Sequence, residues 1–371
     1  MPGKRPILIT AGGTGGHVYP GLAVARALMA QDIPVIWMGT HAGLEATVVP
    51  EAGIEMAWLT VTGLRGKGWK TLVQAPLKLT MALFQSVQIM LKHKPVVVLG
   101  MGGFVAGPGG LVAALMGKPV VIHEQNAVPG LTNKLLSKVS RRVLEGFPGT
   151  FTPGNKVQAT GNPVRMDIAG LPAPVERLAD RDDEPVHLLV IGGSLGATAL
   201  NEMVPQALTL LPENVRPIVR HQAGTRNIDD AKEAYSRSVV DADVTAFIVD
   251  MAEAYGWADL IICRSGALTV AEVAAAGVAS ILVPYPYAVD DHQTANGAYL
   301  ADNGAAQLIQ QSDLSPEKLA SLLMGLCAER GQLVKMGIMA RKLAKPYATM
   351  QVAAICAAYA GYDFNGEQQQ S

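Results

Sequence analysis

Residues 7–18 read ILITAGGTGGHV: a short apolar run, a glycine-rich turn, then the start of an apolar stripe at Val18, Leu22, Ala25 and Met29. The β-prone run predicts a buried strand, and the stripe predicts a helix with one buried face. The glycines between them predict a tight strand-to-helix turn. The same order returns 180 residues later. HLLVI (187–191) leads into Gly192-Gly193-Ser194-Leu195-Gly196, followed by Ala199, Met203 and Leu208. Each half holds a second such unit: VVVL (96–99) before GMGGF, and LIIC (260–263) before Arg264-Ser265-Gly266-Ala267-Leu268-Thr269. Short β-rich runs alternating with helical patterns predict parallel sheets. Residues 161–185 are rich in Pro and charge and carry no strand pattern. The reading is therefore α/β, with two doubly wound domains joined near Gly161–Pro163. A last helical pattern, about 337–360, suits either domain. Ligands of open α/β sheets bind beyond the carboxyl ends of the strands, so two such domains facing each other make a cleft.

Composition agrees. A chain of 371 residues suits two domains. Hydrophobic residues at 49% and charged residues at 16% exclude a disordered chain. Aromatics at 5% and 39 glycines favour α/β architecture over a β-sandwich. Cys263, Cys327 and Cys356 are far apart and in apolar context, with no disulfide framework or zinc spacing, which points to a reducing, cytosolic compartment. The first apolar run is too short for a signal-peptide core. The uncharged stretch Pro95–Gly117 is 23 residues long, but seven Gly and Pro between Gly100 and Gly110 interrupt it. It reads as strand, turn and helix rather than a membrane span. The net charge of −1 hides an asymmetry: residues 1–163 carry 15 Lys+Arg against 6 Asp+Glu, and residues 164–371 carry 15 against 25. No acidic residue lies between Glu55 and Glu124. A basic half facing an anionic partner follows; nothing points to nucleic acid.

Several polar clusters sit where strands should end. Gly12-Gly13-Thr14-Gly15-Gly16 can present backbone N–H groups to an anion, though it matches neither GxGxxG nor GxxxxGK[ST]. His17 follows it directly and is a candidate general base. His123-Glu124-Gln125-Asn126 follows VVI (120–122); it is not HExxH, so no zinc site is expected. Arg264 to Glu272 reads as a strand end running into a helix N-terminus. The N–H groups near Ala267–Thr269 are expected to hold a diphosphate, and Glu272 to chelate a ribose diol one turn on. Asp290-Asp291-His292-Gln293-Thr294-Ala295-Asn296 suits sugar hydroxyls or an ordinary helix cap. Asp241-Ala242-Asp243 precedes a strand, the wrong end for a metal–diphosphate site.

GGTGGHVYPGLAVA, LGMGGFVAGPGG, HEQN, GNPVR, GGSLGA, CRSGALTVAE and DDHQTANG occur in one order across both halves. Together they resemble the MurG-type N-acetylglucosaminyltransferases of peptidoglycan synthesis, from about residue 5 to 300 and more loosely to the end. The resemblance implies a GT-B fold, two Rossmann-like domains facing a cleft. They would be an acceptor and membrane-facing domain 1–161 and a donor domain 162–340, with a C-terminal helix, 341–371, crossing back to the first. It implies inverting transfer of GlcNAc from UDP-GlcNAc to the C4 hydroxyl of MurNAc in the polyprenyl-linked acceptor lipid I, giving lipid II. No cofactor or metal is implied, because helix amides can stabilise the leaving diphosphate. Ser194 and the amides of Ala267, Leu268 and Thr269 would meet the diphosphate, with Val270 and Ala271 completing that segment. Arg165 would lie near the donor, Ile248 would offer backbone to uracil, and Glu272 would hold the ribose. Asn126, Gln293 and His292 would contact GlcNAc, while Thr14, Gly15 and Gly16 would close over the reacting end. His17 is the first choice of base and Glu124 the second. Alternatives are a UDP-GlcNAc 2-epimerase of similar fold and a non-catalytic sugar-nucleotide-binding protein.

A lipid-linked acceptor implies a peripheral protein at the cytoplasmic face of the inner membrane, near other cell-wall synthesis proteins. LRGKGWKTLVQAPLKLTMALF (64–84) interleaves Arg65, Lys67, Lys70 and Lys78 with Trp69, Leu72 and Leu77. Residues 65–78 are expected to touch an anionic bilayer surface, and the apolar residues beyond 80 to pack into the first domain.

Overall fold

The computed structural model describes residues 4–60, 68–179, 181, 184–193 and 196–365, and the side chains of 68–74 and 289 are outside that description. The chain forms two compact units. One comprises residues up to Val164 together with those from Tyr347 onward; the other is Arg165–Pro346.

The first unit is built on β1 (Ile7–Ala11), β2 (Val35–Thr40), β3 (Glu55–Leu59), β4 (Val97–Gly102), β5 (Val120–Glu124), β6 (Arg142–Glu145) and β7 (Val157–Ala159). All pair in parallel, in the order β3-β2-β1-β4-β5-β6-β7. The order reverses between β1 and β4, which makes that pair the topological switch point. Alternation along β1 supplies both faces of the sheet. Ile7 and Ile9 pack with Val18, Leu22 and Ala25 of the helix Gly15–Met29. Leu8 packs on the other side with Ile89 and Met90 of the helix Gly68–His93 and with Val112 of the helix Ala106–Leu115. Coverage of both faces is why these strands read as unbroken apolar runs. Gly21 lets helix 15–29 lie close on the sheet: a Cβ there would stand 2.6 Å from the Trp37 ring. That indole is fully buried and donates from Nε1 to the Ala11 carbonyl at 2.9 Å.

The second unit repeats the plan with β8 (His187–Ile191), β9 (Ile218–Gln222), β10 (Asp243–Thr245), β11 (Leu260–Cys263), β12 (Ala279–Leu282) and β13 (Ala306–Leu308). Its parallel order is β10-β9-β8-β11-β12-β13, with the switch point between β8 and β11. Leu188, Val190, Leu260 and Ile262 pack with Leu200, Val204 and Leu208 of the helix Thr198–Thr209.

Two boundaries differ from those read in the sequence. The units meet at Val164/Arg165 rather than 161/162, and separate again at Pro346/Tyr347 rather than 340/341. The pattern at 337–360 is two helices, Arg330–Leu343 and Ala348–Ala360. Pro346 separates them, because proline has no N–H to give a helix and biases Lys345 away from helical geometry. The first helix packs in the second unit; Val352, Ala353 and Cys356 of the second join Ile7, Ile9 and Val18 in the core of the first.

Candidate functional site

In the first unit, β1 runs into Gly12-Gly13-Thr14 at the switch point. Gly13 has φ +94° and donates its N–H to Glu45 Oε2 at 3.0 Å. Glu45 is fully buried and its Oε1 accepts from Thr40 N at 3.0 Å and Thr40 Oγ1 at 2.9 Å. A buried carboxylate therefore fastens the turn from beneath. Helix 15–29 makes its first backbone bond from His17 N to Thr14 O at 3.1 Å, so the amides of Gly15 and Gly16 precede it. The His17 ring lies over the end of β4. A Cβ at Gly102 would stand 2.8 Å from that ring, and Gly102 has φ +107°. Only glycine lets the imidazole settle there.

The polar run at the end of β5 divides by side-chain direction. Glu124 is buried and saturated: Oε1 accepts from Asn126 N at 3.0 Å and Asn126 Nδ2 at 3.2 Å, and Oε2 from Gly130 N at 3.1 Å and Asn133 Nδ2 at 3.0 Å. Four donors on one carboxylate organise the loop and occupy its acceptor sites. His17, half-buried, meets Gln125 Oε1 through Nδ1 at 2.8 Å. Gln125 Nε2 stands 3.1 Å from both His123 Nδ1 and His123 O, and His123 Nε2 stands 2.9 Å from Gly161 O.

Burial lowers the His123 pKa to about 4, so the ring is neutral near pH 7. An unfolded histidine titrates near 6.5. Between those values the unfolded chain binds the extra proton, and stability falls as pH falls, levelling off below about 4. His221 adds to the same loss, since burial lowers its pKa to about 3. Chemical-denaturation midpoints measured from pH 7 to pH 4 are expected to fall. The fall should be shallower in His123→Asn, whose amide does not titrate.

In the second unit the candidate residues collect along the carboxyl edge of the sheet. β8 leads to Gly192-Gly193; Ser194 is outside the described residues. β10 leads to Ile248, half-buried between exposed Phe247 and Val249. β11 leads through Arg264-Ser265-Gly266 into the helix Ala267–Ala276, whose first backbone bond runs from Val270 N to Gly266 O at 2.9 Å. The amides of 267–269 therefore form its first turn, at the positive end of the helix dipole. Val270 and Ala271 are buried or half-buried within that helix. Glu272 accepts from Tyr255 Oη at 3.1 Å on Oε2 and from Arg165 Nη2 at 3.2 Å on Oε1. Burial raises its pKa, and the Arg165 guanidinium and the Tyr255 hydroxyl oppose that rise. After β12, Gln293 Oε1 accepts from Tyr285 N at 2.9 Å, and His292 opens the helix His292–Ala301. Asp290 and Asp291 before it both sit in the left-handed region, at φ +52° and +49°. Two such consecutive non-glycine residues carry backbone strain of the kind concentrated at ligand sites. Asp243, of Asp241-Ala242-Asp243, opens β10 at the opposite edge.

The first unit also carries an apolar surface. Leu77, Leu79, Met81 and Phe84 of helix 68–93 are exposed, as are Leu115 of helix 106–115 and Leu131 and Leu135 of the helix Leu131–Leu136. The expectation that apolar residues beyond 80 pack inward holds for Ala82, Ile89 and Met90 but fails for Met81 and Phe84, which are 46% and 63% exposed. A helix with one face on the sheet turns its other residues outward, and Met81 and Phe84 fall on that outer face. Lys78 is half-buried. Arg65 and Lys67 are outside the described residues; Trp69, Lys70 and Leu72 lie on helix 68–93, their side chains outside the description. Among the described residues, no helix is long and apolar enough to cross a membrane.

Two family models match this architecture: the glycosyltransferase family 28 N-terminal domain over residues 7–145 and its C-terminal domain over 187–352. The chain belongs to glycosyltransferase family 28. Within it, the chain is 53% identical to the UDP-N-acetylglucosamine--N-acetylmuramyl-(pentapeptide) pyrophosphoryl-undecaprenol N-acetylglucosamine transferase of Cupriavidus metallidurans, over 96% of this chain and 99% of that relative. It is 53% identical to the protein of the same name from Thiobacillus denitrificans, over 96% and 99%. The crystal structure of Acinetobacter baumannii MurG superposes with a TM-score of 0.83 at 43% identity, covering 95% of this chain and 99% of that one. The UDP-GlcNAc 2-epimerase from Neisseria meningitidis superposes at 0.67 with 13% identity, covering 95% and 99%, a likeness of fold alone. The two-unit architecture of this family 28 chain is of the GT-B type.

Three residues that bond to the candidate groups carry no role of their own in the sequence reading. Gln125 was visible within HEQN, but nothing local showed that it points at His17. Glu45 is one of only two acidic residues between Lys4 and Pro50, a faint signal. Tyr255 gives no signal, because its value lies in reaching Glu272 on another helix.

Proposed function

We propose that this chain transfers GlcNAc from UDP-GlcNAc, with inversion, to the C4 hydroxyl of MurNAc in undecaprenyl-pyrophosphoryl-MurNAc-pentapeptide, forming lipid II. The observation that carries the reading is the pairing of functions at two switch points. His17 offers Nε2 beside a glycine turn in the first unit, and Glu272 stands beside first-turn helix amides in the second. In the reaction the acceptor O4 attacks the anomeric carbon as its proton passes to His17 Nε2. The bond from that carbon to the diphosphate oxygen breaks, and UDP leaves with the bonding pair. The amides of 267–269, with Ser194 and Arg165, meet the charge that develops on the diphosphate. Glu272 takes the ribose hydroxyls and the backbone at Ile248 the uracil. Gln293, His292 and Asn126 contact the GlcNAc, with Thr14, Gly15 and Gly16 over the reacting end. Glu124 orders the 124–133 loop that carries Asn126.

Purified protein given UDP-[¹⁴C]GlcNAc and a lipid I analogue should yield labelled disaccharide-lipid and UDP in equal amounts. Conversion of UDP-GlcNAc to its 2-epimer without acceptor would support the epimerase reading instead. Binding of UDP-GlcNAc with neither product would support a non-catalytic binding protein.

The lipid-linked acceptor places the first unit at an anionic membrane surface, on the face that exposes Leu77 and Phe84. Each Lys near such a surface contributes about 1 kcal/mol, screened by salt, while inserted apolar side chains add a part that salt does not remove. Flotation with anionic vesicles is expected to weaken with salt without vanishing. Replacing Lys67, Lys70 and Lys78 with Glu should abolish it and spare transfer to a soluble acceptor analogue. Equal flotation of the triple variant would place the contact surface elsewhere.

A further inference from the structure

The hydrogen bonds behind His17 have only one consistent proton arrangement. It begins at Gly161 O, which can only accept; His123 Nε2, 2.9 Å away, must be the donor. His123 is a fully buried neutral ring, so its single proton is spent there and Nδ1 accepts. Gln125 Nε2 faces His123 Nδ1 and His123 O, both at 3.1 Å and both acceptors. The amide nitrogen must face them, because the reversed amide would set an oxygen against the carbonyl and against a lone pair. Gln125 Oε1 is then left for His17 Nδ1 at 2.8 Å, and an amide oxygen can only accept.

We propose that Gln125 is a positioning residue which, held by His123, fixes His17 as the Nδ1–H tautomer and so keeps the lone pair on Nε2 for the acceptor proton. This rests on the reading of His17 as the base. An isolated neutral imidazole side chain in water prefers its proton on Nε2, so the chain of bonds reverses the ring's own preference. Among the described residues no side chain or backbone group bonds His17 Nε2, which leaves that atom to the substrate. The buried carboxylates that brace the turn after β1 and the loop after β5 are already committed. Glu124 spends both oxygens on Asn126, Gly130 and Asn133, and Glu45 spends both on Gly13 and Thr40. The arrangement does the work of the carboxylate behind the histidine in a hydrolase triad, with a neutral amide as the orienting group. A neutral partner fixes the tautomer without setting a negative charge beside the ring.

The test is ¹⁵N NMR of the full chain labelled at histidine, assigned with His17→Ala and read at a pH where imidazole side chains are neutral. The expected spectrum has His17 Nδ1 protonated and Nε2 unprotonated. Gln125→Leu removes the acceptor; its His17 should move towards the Nε2–H form. Its kcat should fall roughly 10- to 10²-fold, within the range carried by a positioned base. KM for UDP-GlcNAc should stay within about twofold, as for a group acting on the chemical step alone. Gln125→Glu keeps an acceptor for His17 and adds a charge, and it sets a second oxygen against His123 Nδ1 and O in place of the amide donor. It should keep the Nδ1–H tautomer and move the acid limb of the kcat–pH profile to higher pH, because the carboxylate favours protonated His17.

A wild-type spectrum with Nε2 protonated would overturn the proposal, as would an unchanged tautomer and kcat in Gln125→Leu. Should Gln125→Leu fail to fold, the wild-type spectrum and the pH profile of Gln125→Glu still decide. Failure of the base reading looks different: His17→Ala keeps its turnover while wild-type His17 still shows the Nδ1–H form.

Discussion

Replacing His17 with Ala is expected to lower turnover by roughly 10²–10⁴, the contribution of a positioned general base. Donor binding should change far less, because the groups proposed to hold UDP lie in the second unit, on the helix Ala267–Ala276 and the loop after β10. The measurement is kcat for transfer to a lipid I analogue, beside UDP affinity by calorimetry. Glu124→Ala will also be impaired, since removing that carboxylate leaves Asn133 Nδ2 and the Gly130 amide without a partner they now have. The two variants separate by kind. His17→Ala should keep wild-type thermal stability with a lost chemical step. Glu124→Ala should lose stability as well, because the buried Asn133 amide loses its carboxylate partner, and a buried donor left unsatisfied costs about 1–3 kcal/mol. Near-normal turnover in His17→Ala together with abolished turnover in a folded Glu124→Ala would make Glu124 the base and reduce His17 to shaping the turn.

Glu272→Ala is expected to weaken UDP and UDP-GlcNAc binding by roughly 10- to 10²-fold, the loss of a charge-assisted hydrogen bond worth about 1.5–3 kcal/mol. The carboxylate is 8% exposed and is aimed by Tyr255 and Arg165 rather than left to rotate. Burial raises its pKa, so it takes up a proton at a higher pH than an exposed glutamate does. The ionised carboxylate accepts both hydroxyls of a ribose diol, and more strongly than the neutral acid does. UDP affinity should therefore fall at a higher pH than protonation of an exposed glutamate would bring, and Glu272→Gln should lack that dependence. Tyr255→Phe should show a smaller loss of the same sign, because it frees one carboxylate oxygen without removing the charge. Unchanged UDP affinity in a folded Glu272→Ala would reject the ribose assignment.

Much of this was legible in the sequence because it is local. A strand, a glycine turn and the helix that follows are contiguous, and their apolar spacing is fixed by backbone periods of 2 and 3.6. ILITAGGTGGHV and LIICRSGALTVAE therefore announce their own geometry, including which residues stand at a strand's carboxyl end. Repetition of that unit in both halves made two doubly wound α/β units readable before any contact was known. Tertiary structure decided which distant residues meet. His17 and Gln125 are 108 residues apart, and they touch only because β4 separates β1 from β5 and because Gly102 leaves room for the ring. Strand order follows from packing helices on both faces of a twisted sheet, and no local propensity encodes it. HEQN read as one polar cluster with Glu124 the second choice of base and Asn126 a sugar contact, yet Glu124 is spent inside its own loop while Gln125 faces His17. Met81 and Phe84 read as core and lie at the surface, and Pro346 divides one apolar pattern between two units. Periodicity reveals that a residue has a side to bury; only the arrangement of neighbouring elements determines which sides are covered.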